Sequence, residues 1–304
     1  MADPVGTGVT GTSAAPVRIT AVAKSELIWL VYNKCSGSNG EAALAQIEAD
    51  LSEAGFSVAR RTSFPDENAP SAAELDAQRI ATLCIFTGDG SIHALVPALF
   101  GWKGRILVLP GGTMNLLSHQ LHGDATSGEI VERIAAGQSR LVRPPVLEGR
   151  HGPALTGVLA GPGTQWNEVR EAMRNSALGE IASAATGAAS NSIGGERVVC
   201  RGLEHVRPEG YAAIAITPTA GGIAANGYYA DRLGDYMGQI LAMMQGDFRD
   251  GPHDELGTLP GIEVASLNGG PVGLLLDGEP EDGQPSETFR IGSCGVDLIA
   301  TSNE

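Results

Sequence analysis

Residues 81–100, ATLCIFTGDGSIHALVPALF, decide the fold. An apolar run ends abruptly in TGDGS (87–91), and a second apolar segment begins at once. The pattern predicts a buried strand, a turn and a helix that Pro97 kinks or shortens. Gly-Asp-Gly suits any tight turn, because glycine tolerates positive φ and aspartate bonds its own backbone. A glycine-rich turn between a strand and a helix also presents backbone N–H groups to a phosphate, so the turn alone fits both interpretations.

Strands and helices alternate on both sides of this turn. Apolar strand patterns are LIWLVYN (27–33), FSVARRT (56–62), TLCIFTG (82–88) and RILVLP (105–110). Amphipathic helix patterns fall between them, which predicts βαβ units and a mostly parallel sheet. Ligands of such sheets bind beyond the carboxyl ends of the strands.

Three glycine-bearing turns follow predicted strands: NKCSGSNG (33–40), TGDGS (87–91) and LPGGTMN (109–115). One such turn is compatible with a simple chain reversal. Three at the same edge of one sheet predict a phosphate-binding floor.

The character of the sequence changes after about residue 143. Short apolar segments there are separated by glycine and proline, which is typical of a β-rich domain. Helical patterns interrupt it at 167–175 and 232–244. The predicted organisation is a flexible leader (1–24), an α/β nucleotide-binding domain (25–142) and a β-rich second domain (143–304).

Charge and cysteine content exclude several classes of function. The formal net charge of −15 argues against non-specific nucleic-acid binding, which needs a basic face. Four cysteines lie far apart with no Cys-x-x-Cys, so buried free thiols are favoured over a disulfide framework or zinc site. The first 26 residues lack a signal-peptide pattern, and no stretch approaches the ~20 apolar residues of a spanning helix. We expect a cytoplasmic protein.

The turns, in this order, resemble the diacylglycerol kinase catalytic domain family, which includes bacterial diacylglycerol kinases and sphingosine kinases. The family's Asn-Pro-x-Ser-Gly, Gly-Gly-Asp-Gly-Thr, Pro-x-Gly-Thr-x-Asn and Asp-Gly-Glu motifs match residues 33–37, 87–91, 110–115 and 277–279, respectively. The second and third motifs are shared with NAD kinases of the same superfamily. The first and the last favour the lipid kinases.

This resemblance implies an α/β fold: an N-terminal parallel-sheet nucleotide-binding domain of the NAD kinase/diacylglycerol kinase type and a C-terminal β-sandwich domain. The active site would lie in the cleft between them, and the last strand, around 291–300, would return to the first domain. The implied reaction is transfer of the γ-phosphate of ATP, with Mg²⁺, to a lipid hydroxyl. Diacylglycerol or a related long-chain alcohol at a membrane surface is the expected acceptor. A peripheral membrane location and a homodimer are compatible with this prediction.

The resemblance also implies roles for particular residues. Asp89 is the expected partner of Mg²⁺ or its waters and a catalytic residue, and Glu279 is the expected general base. From the residues alone, Asp89 could instead be an ordinary turn carboxylate, and Asp-Gly before Glu279 also predicts a type I′ hairpin. The residues expected to contact the nucleotide are Asn33, Ser36, Gly37, Thr62, Gly88, Asp89, Gly90, Ser91, Gly112, Thr113 and Asn115.

Two departures from the family pattern keep other functions open. Thr87 replaces the first glycine of the signature, and Leu116 replaces an aspartate after the third turn. These departures motivate one alternative, a nucleotide-binding regulator without catalysis. The motifs shared with NAD kinases leave an NAD kinase-like enzyme as the other. The acidic stretch that holds a structural metal in bacterial relatives has no clear counterpart here. His93, His119 and His122 follow the turns and are expected to be solvated or to cap helices.

Overall fold

The computed structural model describes residues 26–34, 40–162, 197–203, 206–228 and 253–302. The helices predicted at 167–175 and 232–244 lie outside these ranges. Within them, no helix is long and apolar enough to cross a membrane.

Five helices and seventeen strands make up the described residues. The helices are α1 (Glu41–Glu53), α2 (Ala72–Ala77), α3 (Asp89–Ala98), α4 (Leu116–His122) and α5 (Ser127–Ala135). The strands are β1 (Glu26–Tyr32), β2 (Phe56–Ser63), β3 (Thr82–Thr87), β4 (Arg105–Pro110), β5 (Arg140–Val142), β6 (Pro145–Gly149), β7 (Gly152–Ala154), β8 (Val158–Pro162), β9 (Val198–Arg201), β10 (Ala213–Thr219), β11 (Gly222–Tyr228), β12 (His253–Leu259), β13 (Gly261–Ser266), β14 (Val272–Leu276), β15 (Glu279–Asp282), β16 (Ser286–Ser293) and β17 (Asp297–Ala300).

The first sheet has the strand order β2-β1-β3-β4-β17-β5 and is parallel except for the β17–β5 pair. Helices cover both of its faces. One face packs on α1 and α5 through residues such as Leu51 and Ile130, and the other packs on α2, α3 and α4 through residues such as Leu95 and Leu117. Burial on both faces explains why β3 and β4 read as continuous apolar runs rather than alternating ones.

Two antiparallel sheets form the rest of the described structure. Their orders are β12-β11-β10-β8-β14-β15 and β7-β6-β16-β13-β9. Their inner faces share one apolar core, in which Ile214 and Leu274 of one sheet lie in the same cluster as Val264 and Phe289 of the other. The predicted fold class, a parallel α/β sheet followed by antiparallel β-sheets, is therefore confirmed. Cys84, Cys200 and Cys294 are free and buried, as the spacing predicted.

The C-terminal segment is anchored in the first sheet by His122. The His122 ring is buried at the end of α4, and its Nδ1 lies 2.9 Å from the Thr301 hydroxyl just after β17. The backbone N–H of Thr301 donates to the Leu121 carbonyl at 3.0 Å. Burial lowers the pKa of His122 to about 4, so the ring is neutral near pH 7.

This burial predicts an acid-dependent loss of stability. Between a folded pKa of about 4 and an unfolded pKa near 6.5, the unfolded chain binds the proton and the folded chain does not. The contribution of His122 is therefore complete above about pH 6.5 and is lost as the pH falls toward 4, by up to about 3 kcal/mol. Denaturant unfolding from pH 7 to pH 4 should show a shallower loss for His122→Leu than for the wild type. Equal slopes would show that His122 is not buried as a neutral ring.

Candidate active site

The ends of β1, β3 and β4 lie side by side at one edge of the first sheet, and the turns after β3 and β4 are in contact. The turn after β4 packs directly on the backbone of the turn after β3. A Cβ at Gly111 would lie 2.7 Å from the Thr87 nitrogen, and one at Gly112 would lie 2.6 Å from the Gly88 Cα. Glycine at both positions lets two backbones approach more closely than side chains permit.

Asn33, just after β1, reaches the same place. Its side-chain amide lies 3.5 Å from the Ser91 hydroxyl in the first turn of α3. Asn115, at the end of the third turn, accepts from the Gly112 N–H at 2.7 Å and donates to the Gly112 carbonyl at 3.0 Å. Of the turns predicted to form a phosphate floor, those after β3 and β4 are thus adjacent to each other and to Asn33, while residues 35–39 lie outside the described ranges. Helix α3 begins with Gly88 as its N-cap residue.

The Asp89 carboxylate joins the second and third turns. Its Oδ2 accepts from the Asn115 N–H at 2.9 Å and its Oδ1 from the Leu116 N–H at 2.7 Å, so it caps the N-terminus of α4. Asn115 has the left-handed backbone, with φ of 53°. Leu116, at the place of the family's aspartate, is a buried apolar residue of α4.

Burial raises the pKa of Asp89 to about 6, and the negative charge of Asp277 contributes in the same direction. The two backbone hydrogen bonds oppose this shift. The environment therefore holds the carboxylate in place without neutralising its charge. A cation beside it would lower this pKa.

The Asp-Gly-Glu motif is a two-residue hairpin turn between β14 and β15. Leu276 pairs with Glu279 across it, and Asp277 and Gly278 both have positive φ, of 51° and 89°. This is the type I′ geometry that Asp-Gly favours. The turn lies beside the third turn of the first sheet, since a Cβ at Gly278 would lie 3.0 Å from the Met114 methyl group.

Glu279 faces the Gly-Asp-Gly turn. A Cβ placed on Gly90 would collide with the Glu279 carboxylate, lying 2.9 Å from its Cδ. Glycine at position 90 therefore leaves room for the Glu279 carboxylate, which comes from the β14–β15 hairpin of an antiparallel sheet. The hairpin turn and a Glu279 that faces α3 are therefore compatible, because the turn itself directs Glu279 toward that helix.

Asp277 holds the hairpin in position. Its buried carboxylate accepts from the backbone N–H groups of Leu155, Thr156 and Gly157 at 2.9, 2.7 and 3.2 Å, and from the Thr156 hydroxyl at 2.8 Å. Its own N–H donates to the Gly157 carbonyl at 3.0 Å. Sequence reasoning identified Asp277 as a turn residue and missed the loop that it binds.

His93 also binds Asp277, and the sequence analysis did not assign it to the site. Its Nδ1 lies 2.8 Å from Asp277 Oδ2. This hydrogen bond is the main cause that raises the pKa of His93, and the nearby charges of Glu279 and Glu281 act in the same direction. The expectation of a solvated or capping ring is wrong for His93, which is ion-paired, and for His122, which is buried. The sequence contained a signal that His93 belongs to the site. His93 follows Asp89 by four residues and therefore lies on the same face of the helix.

The other predicted nucleotide contacts differ in exposure. Thr113 is exposed at the edge of the floor. Thr62 is buried, and its hydroxyl accepts a hydrogen bond from the Trp29 indole at 2.9 Å, which gives it a structural role inside the sheet. Ser36 and Gly37 lie outside the described residues. Their part in nucleotide binding stays a prediction.

Sequence and structure comparisons now identify the segment that carries the three turns. Residues 27–144 match the diacylglycerol kinase catalytic domain. The resemblance predicted from the ordered turns is therefore confirmed. No curated protein sequence matches the chain.

The fold of the whole chain is similar to solved structures. Two of them, from Bacillus anthracis str. Sterne and designated diacylglycerol kinases, match with TM-scores of 0.58 and 0.56. Each match covers 92% of this chain and 99% or 98% of the other, at 14% and 13% identity. At that identity the likeness concerns the fold.

The diacylglycerol kinase catalytic domain implies a nucleotide and a divalent metal, and the site geometry fits both. Gly88, Gly90 and Gly112 add no side chain of their own at the start of α3, where the first turn of a helix favours anions. Among the described residues, no three His, Cys, Asp or Glu side chains form a metal cage. Mg²⁺ binds through one or two carboxylates together with substrate phosphates and water, and Asp89 offers one such carboxylate at the start of α3.

Proposed function

We propose that this protein is an ATP-dependent lipid kinase that transfers the γ-phosphate to a lipid hydroxyl, of diacylglycerol or a related long-chain alcohol. One observation carries the proposal: the Glu279 carboxylate lies against Gly90, in the first turn of α3. A carboxylate at a phosphate floor repels the phosphates and serves nucleotide binding poorly. It suits a base that takes a proton from an acceptor hydroxyl while the phosphoryl group transfers.

The roles follow from position. Gly88, Gly90 and Gly112 bring backbone N–H groups to the phosphates, with Ser91 and Thr113 as hydroxyl donors. The Asn33 side chain reaches Ser91, and the Asn115 backbone N–H donates to Asp89, so both tie neighbouring turns together. Asp89 holds Mg²⁺ or its waters, and bound Mg²⁺ would neutralise charge that develops on the phosphate oxygens. Glu279 orients the lipid hydroxyl and accepts its proton.

The proposal that the acceptor is a lipid at a membrane surface rests on family resemblance alone. A net charge of −15 gives no general attraction to anionic lipid, so we propose local and peripheral contact. A regulator without catalysis has no evident use for a base at Gly90, whereas an NAD kinase-like enzyme would use both carboxylates. The substrate assay must therefore include NAD.

Nucleotide binding should be measurable without lipid. Mg-ATP at 100 times its dissociation constant should stabilise the full-length protein by about 2.7 kcal/mol, seen as a rise in melting temperature. The full chain is required, because β17 lies between β4 and β5 and a fragment ending near residue 142 would lack it. Gly112→Val, whose side chain would collide with the Gly88 backbone and push the two turns apart, is the comparison variant and should show no shift. A wild-type protein indifferent to millimolar Mg-ATP would contradict the phosphate floor.

The substrate class is tested with γ-labelled ATP and a panel of acceptors. The panel contains diacylglycerol, ceramide, sphingosine and monoacylglycerol in mixed micelles, with NAD in the aqueous phase. We expect label in one organic-extractable product. Label in NADP would replace the proposal by the NAD kinase alternative, and label in neither would favour the regulator.

A further inference from the structure

We propose that His93 is a positioning residue that fixes the Glu279 carboxylate above the phosphate floor by clamping the β14–β15 hairpin to α3. This inference rests on the proposed function, since it concerns the base of that reaction. The clamp is the hydrogen bond between His93 Nδ1 and Asp277 Oδ2.

The Asp277 carboxylate is shared between two parts of the fold. Four of the hydrogen bonds described above come from residues 155–157, which lead into β8 of the same antiparallel sheet as the hairpin. The bond from His93 comes from α3, which packs on the first sheet. Asp277 is 3% exposed, so this bond is shielded from water and stronger than a surface ion pair.

The two contacts between the hairpin and α3, Asp277 with His93 and Glu279 with Gly90, match in spacing. Along the helix, Gly90 and His93 are three residues apart and therefore neighbours on one face. Along the hairpin, Asp277 and Glu279 are two residues apart. Asp277 meets His93 while Glu279 meets Gly90, so two contacts fix the hairpin on α3. One contact would leave the hairpin free to pivot, and the Glu279 carboxylate would move with it.

The charges around the ring also favour this arrangement. Asp89 lies one turn earlier on α3, and Asp277, Glu279 and Glu281 face the ring from the hairpin. The 155–157 turn contributes backbone and the Thr156 hydroxyl to Asp277 and no titratable group. β3, β7 and α4 also pack on α3. Of these, α4 carries His119 and His122, β7 has no titratable residue, and Cys84 of β3 lies in the core on the opposite face of the sheet. His93 therefore sits where a cation offsets several carboxylates.

The test separates positioning from bulk stability with two substitutions. In His93→Asn, the side-chain amide nitrogen occupies the place of Nδ1 and keeps the donor. In His93→Ala, the donor is lost. We expect His93→Ala to lower kcat for the lipid by about tenfold or more, because a base displaced by about 1 Å loses much of its effect, while KM for ATP changes less than about twofold. His93→Asn should recover most of kcat. His119→Ala is the matched control and should leave kcat unchanged, since His119 on α4 pairs with the exposed Asp124 just beyond that helix.

A second readout does not depend on activity. Amide hydrogen exchange of residues 272–282 should quicken in His93→Ala and stay near wild type in His93→Asn. Wild-type kcat in His93→Ala, or equal losses in both variants, would overturn the positioning role. If the wild type phosphorylates no lipid, the proposed function fails by itself. In that case amide hydrogen exchange still tests whether His93 clamps the hairpin, and unchanged protection of residues 272–282 in His93→Ala would refute the clamp.

Discussion

Asp89→Asn is expected to lower phosphoryl transfer by about 10³-fold. The substitution removes the negative charge that would hold Mg²⁺ at the start of α3. It also puts an amide NH₂ where the carboxylate accepts from both Asn115 and Leu116. One backbone N–H then faces a donor, which costs about 1–3 kcal/mol of folding free energy. Initial rates at saturating lipid, with thermal unfolding measured in parallel, report the two effects separately.

The control must match this loss of stability without touching the carboxylate. Thr126 caps α5 and accepts from the Glu129 N–H, on the face of the sheet opposite α3. Thr126→Ala should cost about 1 kcal/mol. It should keep full activity at temperatures where both variants are folded. Turnover by Asp89→Asn comparable to that of Thr126→Ala would show that Asp89 is only a helix cap.

Glu279→Gln is expected to lower kcat by about 10²–10⁴-fold, the usual contribution of a general base. The amide keeps the shape of the side chain against Gly90 but cannot take a proton from the acceptor. Because the lost interaction belongs to the transition state, KM for ATP and the Mg-ATP melting shift should stay near wild type. Steady-state rates with varied ATP at fixed lipid distinguish the two parameters.

Glu281→Gln provides the comparison for this variant. Glu281 lies two residues further along β15, so it is on the same side of the strand, and its side chain is half exposed. The charge change is identical, but the position is farther from Gly90. A small effect for Glu281→Gln beside a large one for Glu279→Gln assigns the loss to the base. Equal, small effects on kcat in both variants would show that Glu279 is not a general base, and would favour the nucleotide-binding regulator.

Local chemistry explains why much of the fold could be predicted. Ser71 and Thr126 each form the full capping box that their spacing with Glu74 and Glu129 predicts. Asp277-Gly278 forms its hairpin turn with positive φ at both residues. These features depend on residues within a few positions of each other. Sequence spacing fixes such contacts almost regardless of the rest of the chain.

The parts that could not be predicted depend on long-range contacts. Nothing in the local sequence shows that Asp89 caps a helix starting 27 residues later. The His93–Asp277 bond joins residues 184 positions apart, and the burial of His122 depends on Thr301 near the chain end. The resemblance suggested that Asp89 and Glu279 belong to one site, but only the packing of the hairpin on α3 gives their arrangement.

The central claim is that one site, built by turns from the first sheet and the β14–β15 hairpin, carries out the transfer. A crystal structure of the full-length protein with Mg²⁺ and a non-hydrolysable ATP analogue tests it most directly. We predict the γ-phosphate at the start of α3, with Asp89 on the metal or its waters and the Glu279 carboxylate facing the γ-phosphorus across a gap that admits the acceptor hydroxyl or one water. A nucleotide bound elsewhere, or Glu279 turned away from the phosphate, would contradict the account.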